Sequence, residues 1–168
     1  MILNLLISIR LLHPHETIQL KRLTYLALFV PYGEAPFPIE ILEKEAIKKY
    51  YTKWNQTGDT ALGLFNNQQL VGACWTRLFK ATNPGYGFID ANTPELNIAL
   101  FPNYRNQGWG SQLIRQVLAA NREKGYLKVS LSCDTRNPAF GLYERLGFQT
   151  VQLEKYSATM LKTLRTAE

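Results

Sequence analysis

The stretch that most constrains the fold is ELNIALFPNYRNQGWGSQLIRQVLAANREKGYLKVSLSC, residues 95–133. Residues 95–101 read as a strand, ended by Pro102. Residues 111–124 carry Leu113, Ile114, Val117 and Leu118 along one side, the spacing of an amphipathic helix. Gly125 stands where a left-handed helix end is expected. Residues 127–133 then form another strand through Val129 and Leu131. Strand, helix and strand in direct succession lay a helix over a sheet, which makes the chain α/β.

The loop between that strand and helix ends in Gly108-Trp109-Gly110. A helix N-terminus has unpaired amides and a partial positive charge, so it attracts anions. Gly108 and Gly110 let the backbone curl and approach an anion with no Cβ in the way, and Arg105 can add a charge-assisted bond. The dinucleotide fingerprint is excluded, since its third glycine would fall at Leu113, and so is the P-loop, whose Gly-Lys-Ser/Thr ending is missing. What remains is Arg-x-x-Gly-x-Gly, which by itself fits a plain turn as well as a phosphate cradle.

Other elements surround this unit. Leu5, Ile7 and Ile9 alternate with Leu6, Ser8 and Arg10, which predicts a first strand. Residues 16–29 and 39–54 show helical spacing, through Ile18, Leu20, Leu23 and Leu26 and through Ile41, Leu42, Ala46, Ile47 and Tyr50. They are separated by VPYGEAPFP, whose prolines exclude helix and central strand. Residues 61–65 and 69–79 predict two strands joined through Asn66-Asn67, with Trp75 and Arg77 on one face of the second. Asn137-Pro138 starts a helix that runs to about Leu146 and stops at Gly147, and a last strand follows near residues 150–156. The expected order is β-α-α-β-β-β-α-β-α-β around a mixed sheet, in one domain over residues 1–168.

Composition, at 46% hydrophobic and 19% charged, is that of a globular chain. The apolar start carries Asn4 and Arg10, lacks a small-residue cleavage site and is too short to span a bilayer, so a cytoplasmic protein is expected. Cys74 and Cys133 sit in apolar strands and read as reduced, buried thiols; with His13 and His15 they give no zinc-site spacing, and no metal is expected. The net charge of +6 is uneven: residues 105–145 hold seven Lys/Arg against three acids, whereas Glu34, Glu40, Glu43 and Glu45 crowd an upstream segment. The basic half lacks interleaved aromatics or a nucleic-acid motif, so a phosphorylated cofactor suits it better than nucleic acid.

PNYRNQGWGSQLI, followed downstream by NPAFGLYERLGF, resembles the GNAT superfamily of acyl-CoA-dependent N-acyltransferases. The motif-level match covers residues 95–148, and the element order extends it along the chain. The resemblance implies a GNAT fold of about six to seven strands flanked by about four helices, splayed between the fourth and fifth strands. It also implies acetyl-CoA as co-substrate, a small-molecule or peptide amine as acceptor, no membrane partner, and a homodimer as an assembly common among members.

Residue by residue, the resemblance puts Arg105, Asn106, Gln107, Gly108, Trp109, Gly110 and Ser111 around the pyrophosphate, mainly through backbone amides. Trp109 then matters for its N–H while its indole packs, and side chains at Gly108 or Gly110 are not expected to be tolerated. The backbones of Ile98, Ala99 and Leu100 would pair with the pantetheine arm. Tyr143 stands where members carry a tyrosine that protonates the departing thiolate; the alternative is a packed aromatic. Asn137 either bonds the cofactor, caps its helix, or does both. The carboxylate some members carry on the strand after the cofactor helix falls at Ser132, so Glu95 is the candidate base, working through a water, against an exposed strand-end carboxylate. For the acceptor site, residues 31–38, Trp75, Arg77 and Tyr86 are the candidates, with Arg77 reading a carboxylate or else a solvated strand-edge side chain. An acyl-CoA-binding module without turnover is the competing function.

Overall fold

The computed structural model describes residues 6–164. Seven strands form one sheet in the order β1-β2-β3-β4-β5-β7-β6. They are β1 (Ile7–Leu11), β2 (Thr60–Asn66), β3 (Gln69–Arg77), β4 (Glu95–Leu100), β5 (Lys128–Asp134), β6 (Gln149–Glu154) and β7 (Ser157–Thr163). Leu5 lies outside the described residues, and Ile7 and Ile9 are in β1. Every pairing is antiparallel except β4 with β5, so the sheet is mixed.

The strand expected last is half of a hairpin: β6 turns at Lys155-Tyr156 into β7, which inserts between β5 and β6. Lys155 takes a φ of 53° without the Asn-Gly or Asp-Gly signature, so no turn signal marked the break. The β2–β3 turn sits at Asn67-Gln68, one residue beyond the expected dipeptide, with both φ angles positive as a type I′ turn requires.

Four α-helices flank the sheet: α1 (Leu20–Ala27), α2 (Glu45–Lys48), α3 (Trp109–Glu123) and α4 (Ala139–Arg145). The two helices expected over residues 16–29 and 39–54 are shorter. The first begins as a 3-10 turn, Pro14–Gln19. The second is a 3-10 turn, Ile39–Glu43, then an extended Lys44, then the single turn α2. Left-handed Lys53 and Asn55 close that segment. Its apolar spacing is nonetheless used, since Leu42, Ile47 and Tyr51 are buried against the sheet.

The faces of the sheet divide the core. Leu113, Ile114, Val117 and Leu118 of α3 pack with Cys74, Leu96, Val129 and Leu131 on one side. Leu20 and Leu23 of α1 pack with Phe65, Ala73, Trp75 and Ala99 on the other. Each such large apolar side chain contributes roughly 1.5–3 kcal/mol on burial. Between β4 and β5 the sheet opens: a single register pair joins them, Glu95 with Ser130, where Ser130 N–H donates to Pro94 O at 3.0 Å. Beyond it the strands part, which is the splay expected between the fourth and fifth strands. Among the described residues, no helix is long and apolar enough to cross a membrane.

Candidate functional site

α3 starts inside its own loop. Asn106 (φ 58°) and Gly108 (φ 86°) are left-handed and curl the chain just before Trp109. The first helical bond runs from Gln112 N–H to Gly108 O at 3.2 Å, so the amides of Trp109, Gly110 and Ser111 have no partner within the helix. Free amides at a helix start, together with the helix dipole, suit an anion. A Cβ on Gly110 would stand 3.7–3.8 Å from Leu100, Ile98 and Leu142, in the cleft where β4, α3 and α4 meet. These are ordinary contacts, so the fold itself does not need glycine there. At Gly108 a Cβ would meet nothing, and the positive φ alone favours glycine. Arg105 Nε donates to Leu100 O at 2.9 Å, which ties the loop to the end of β4 and leaves the rest of the guanidinium exposed. Gln107 Nε2 donates to Asn103 O, and Trp109 is half-buried with its indole against the α3-side core.

The edge of β4 that faces the splay is fixed by alternation. Phe101 N–H donates to Val71 O of β3, while Pro94 O accepts from Ser130 of β5. The backbone groups of Leu96, Ile98 and Leu100 therefore turn toward the splay, and those of Ala99 toward Ala73 of β3. Of the three residues expected to pair with a pantetheine arm, Ala99 is corrected: its N–H and C=O belong to the sheet.

Tyr143, on α4, is buried in the α3-side core with its ring edge-on to Phe148 at 6.0 Å. Burial, with the nearby Cys133 and Cys74, pushes its pKa up, so the hydroxyl holds its proton. Both cysteines are free and buried, and burial lifts Cys133 to about 12. Asn137 Oδ1 accepts from Ala139 N–H at 2.9 Å, the expected helix cap, and its Nδ2 is left for another partner.

Glu95 is not an exposed strand-end carboxylate. It is 2% exposed on the α1 side of β4, with Oε1 accepting from Tyr50 Oη at 2.7 Å. Tyr50 Oη in turn accepts from Tyr86 N–H at 2.7 Å, and the two tyrosine rings stack at 6.3 Å. Burial lifts Glu95 to about 7, opposed by the Tyr50 hydrogen bond, the Gly87 amide and the Lys49 ammonium. The geometry gives Oε2 no hydrogen-bond partner, so the Gly87 amide acts from beyond bonding reach. Gly85 covers Oε2 so closely that a Cβ would collide with it, and a Cβ on Gly87 would stand 2.7 Å from Ser132 N. Residues 83–87 thus lie across the opening of the splay, anchored by Lys49 Nζ donating to Asn83 Oδ1 and Pro84 O. Burial also raises the pKa of Tyr50, with the Glu95 charge adding to it, which keeps the hydroxyl a donor. No sequence signal marked Tyr50, which reads as one more apolar-face residue.

Two acceptor-site expectations are corrected. All five N–H donors of Arg77 are engaged: Nε and Nη2 bind Asp59 at 2.9 and 3.1 Å, Nη1 donates to Lys49 O and Thr52 O, and Nη2 to Lys53 O. Arg77 is 5% exposed, so it is neither a solvated edge residue nor free to take a carboxylate. It clamps the segment after α2 onto the sheet. Trp75 is fully buried, its Nε1 donating to Tyr50 O at 3.1 Å, and it is core. Tyr86 alone of the three stays on the surface. The loop at residues 31–38 approaches the β5–α4 connection through a 3.9 Å ion pair between Glu34 and Arg136. A cavity of about 440 Å³ lined by Leu12, Trp54, Thr57, Asp59 and Lys124 lies at the C-terminal end of α3, a helix length from the free amides. Among the described residues, no group of three or more His, Cys, Asp or Glu is placed to hold a metal ion.

A family model described as acetyltransferase (GNAT) family matches residues 22–148. The [ribosomal protein bS18]-alanine N-acetyltransferase of Haemophilus influenzae is 32% identical over 96 residues, which cover 56% of this chain and 58% of that protein. The chain thus matches just over half the length of this curated relative. The PaiA N-acetyltransferase of Thermoplasma acidophilum, solved in complex with coenzyme A, superposes with a TM-score of 0.70 at 22% identity, covering 94% of this chain and 99% of that one. The ribosomal-protein-S18-alanine N-acetyltransferase of Escherichia coli gives 0.66 at 17% identity, with 97% of each chain covered. At these identities the structures show a shared fold.

Proposed function

The chain belongs to the acetyltransferase (GNAT) family, and from that premise we propose that it moves the acetyl group of acetyl-CoA to a primary amine by direct attack in a ternary complex. One observation carries the reading: three free amides at a glycine-lined helix start open onto the unpaired edge of β4 at the splay. Acetyl-CoA supplies the acetyl thioester and a thiol leaving group. The amides of Trp109, Gly110 and Ser111, with Asn106, Gln107 and Gly108 shaping the turn, hold its pyrophosphate, and Arg105 adds charge. The backbones of Ile98 and Leu100 pair with the pantetheine arm, and Asn137 Nδ2 bonds the cofactor.

The two faces of the sheet then meet through the splay. Tyr143 comes from the α4 side and gives its proton to the departing sulfur; its raised pKa keeps that proton in place until a thiolate develops. Glu95 comes from the α1 side and takes the ammonium proton through a water. A carboxyl lifted to about 7 is matched to that task near neutral pH. The acceptor, a small-molecule amine or a peptide amine, approaches beside Tyr86 and residues 31–38. The whole chain acts as one acetyltransferase domain, and its buried reduced thiols suit the cytoplasm.

Thiol release from acetyl-CoA across a panel of amines tests the reading. Turnover is expected with at least one amine, and Tyr143→Phe is expected to lower kcat about 10²-fold with donor affinity unchanged. The sealing of Glu95 under Gly85 favours a second reading, an acyl-CoA-binding module without turnover. Acetyl-CoA raising the melting temperature with no thiol release for any amine would establish it.

A further inference from the structure

The chain between β3 and β4 returns to the sheet without pairing to it; among the described residues its one bridge is internal, Lys80 with Asn83. Each end closes on itself in a turn. Asn83 N–H donates to Lys80 O at 2.9 Å, and Thr93 N–H donates to Asp90 O at 3.3 Å, where Asp90 Oδ1 also accepts from Asn92 N–H and Thr93 Oγ1. Between the turns, residues 83–88 form a strap whose hydrogen bonds to the rest of the described protein come from two adjacent residues. Lys49 Nζ donates to Asn83 Oδ1 and Pro84 O, and Tyr50 Oη accepts from Tyr86 N–H. Lys80 to Pro84 and Tyr86 are exposed, so little apolar burial holds the strap down.

The strap covers polar groups that it does not satisfy. Gly85 sits against Glu95 Oε2, and Gly87 against the backbone of Leu131 and Ser132, just past Ser130. Glu95 Oε2 and Ser130 Oγ, in register across β4 and β5, are buried there with no hydrogen-bond partner. Keeping water from two such groups costs free energy that opening recovers. We propose that residues 83–88 are a gate, which swings off the β4–β5 parting about the turns at its ends and admits the acceptor and its water to Glu95 only when open. Its admitting role rests on the acetyl-transfer reading. Lys49 is the latch. Tyr50 holds the carboxyl as well as the strap, so Lys49 is the anchor that can be released without removing a hydrogen bond from Glu95. A site reached only through a minor open state binds more weakly by the open fraction, so releasing the latch raises turnover of the amine.

Hydrogen exchange of the wild type without substrates is the first test. The Tyr86 and Phe88 amides, bonded to Tyr50 Oη and Gly85 O in the closed strap, are expected to exchange together. They should exchange more slowly than free peptide amides but at least about 10²-fold faster than the amides of β3. Exchange at the β3 rate would mean that the strap leaves only with the sheet, and unprotected amides would mean that it never shuts; either overturns the proposal with no variant needed. Lys49→Met is then expected to speed exchange at Tyr86 and Phe88 about tenfold and leave β3 unchanged. It should raise kcat/KM by the same factor for the panel amine that the wild type turns over fastest, with the KM for acetyl-CoA unchanged. The comparison is made at about pH 9, where Glu95 is ionised with or without the Lys49 charge. Faster exchange with unchanged or lower kcat/KM would make the strap a packing element and overturn the gate. No thiol release from any amine with either protein would instead sink the acetyl-transfer reading itself, while exchange still decides whether the strap opens.

Discussion

The two sides of the splay are built differently. On the α3 side, the proposed anion site is backbone: free amides, two glycines and one strand edge, all within residues 96–111. On the α1 side, the polar site is side chain: Tyr50, Tyr86, Glu95 and Ser130 come from four segments, and Tyr50 meets Glu95 across 45 positions. In the proposed function the backbone site works through charge complementarity with the pyrophosphate. The side-chain site centres on a carboxyl whose proton affinity is raised by burial and lowered by the Tyr50 hydroxyl, the Gly87 amide and Lys49. Disturbing the first should act on donor binding, and disturbing the second on the pH dependence of turnover.

The largest effect should come from putting a negative side chain among the free amides. Gly110→Glu is expected to weaken acetyl-CoA about 10³-fold and abolish the rise in melting temperature that acetyl-CoA gives the wild type. The protein without ligand should keep its own melting temperature, because a Cβ at 110 meets only ordinary contacts. A wild-type response to acetyl-CoA in this variant would erase the contrast between the two sides.

Next in size, Glu95→Gln should lower kcat/KM about 10²-fold at pH 8 while making the protein more stable. Burial raises Glu95 from 4.5 to about 7, so the folded state binds this proton more tightly than the unfolded chain. Its contribution is therefore whole below the ordinary carboxyl range and is lost as pH rises toward 7. Above pH 7 the neutral glutamine should melt higher than the wild type, and below about pH 5 the two should nearly coincide. Equal melting temperatures at pH 8 would mean the carboxylate is not desolvated.

The smallest effect sharpens the comparison most. Tyr50→Phe removes the hydroxyl that favours the charged carboxyl, so Glu95 should rise further and the acidic limb of kcat/KM should move to higher pH. At pH 7 the loss should be about tenfold, shrinking as pH increases, with the KM for acetyl-CoA unchanged. Lys49 and the Gly87 amide still face the carboxyl and keep the limb within reach of measurement. A uniform loss at all pH values would make Tyr50 a packing residue only.

Apart from Ala99, whose backbone pairs with β3, the corrections to the site fall on the side-chain half. Arg77 looked available because strand alternation gives a face without saying what covers it; Asp59 and three carbonyls from the segment after α2 do. The second helix looked continuous because its apolar spacing is real, yet an extended Lys44 divides it while Leu42 and Ile47 still reach the core. β7 escaped because Lys155-Tyr156 turns the chain without a turn residue that betrays itself.

By itself the sequence determined the strand–glycine loop–helix unit, the family and the splay that the family implies. Those features are local: a helix start, two missing Cβ atoms and an alternating strand are set by neighbours in the chain. Only the tertiary structure decided which polar groups meet on the α1 side, that Glu95 is buried beneath Gly85 and held by Tyr50, and that Arg77 serves the fold. Proton affinity and hydrogen-bond pairing depend on what surrounds a group in space, and no spacing along the chain carries that information.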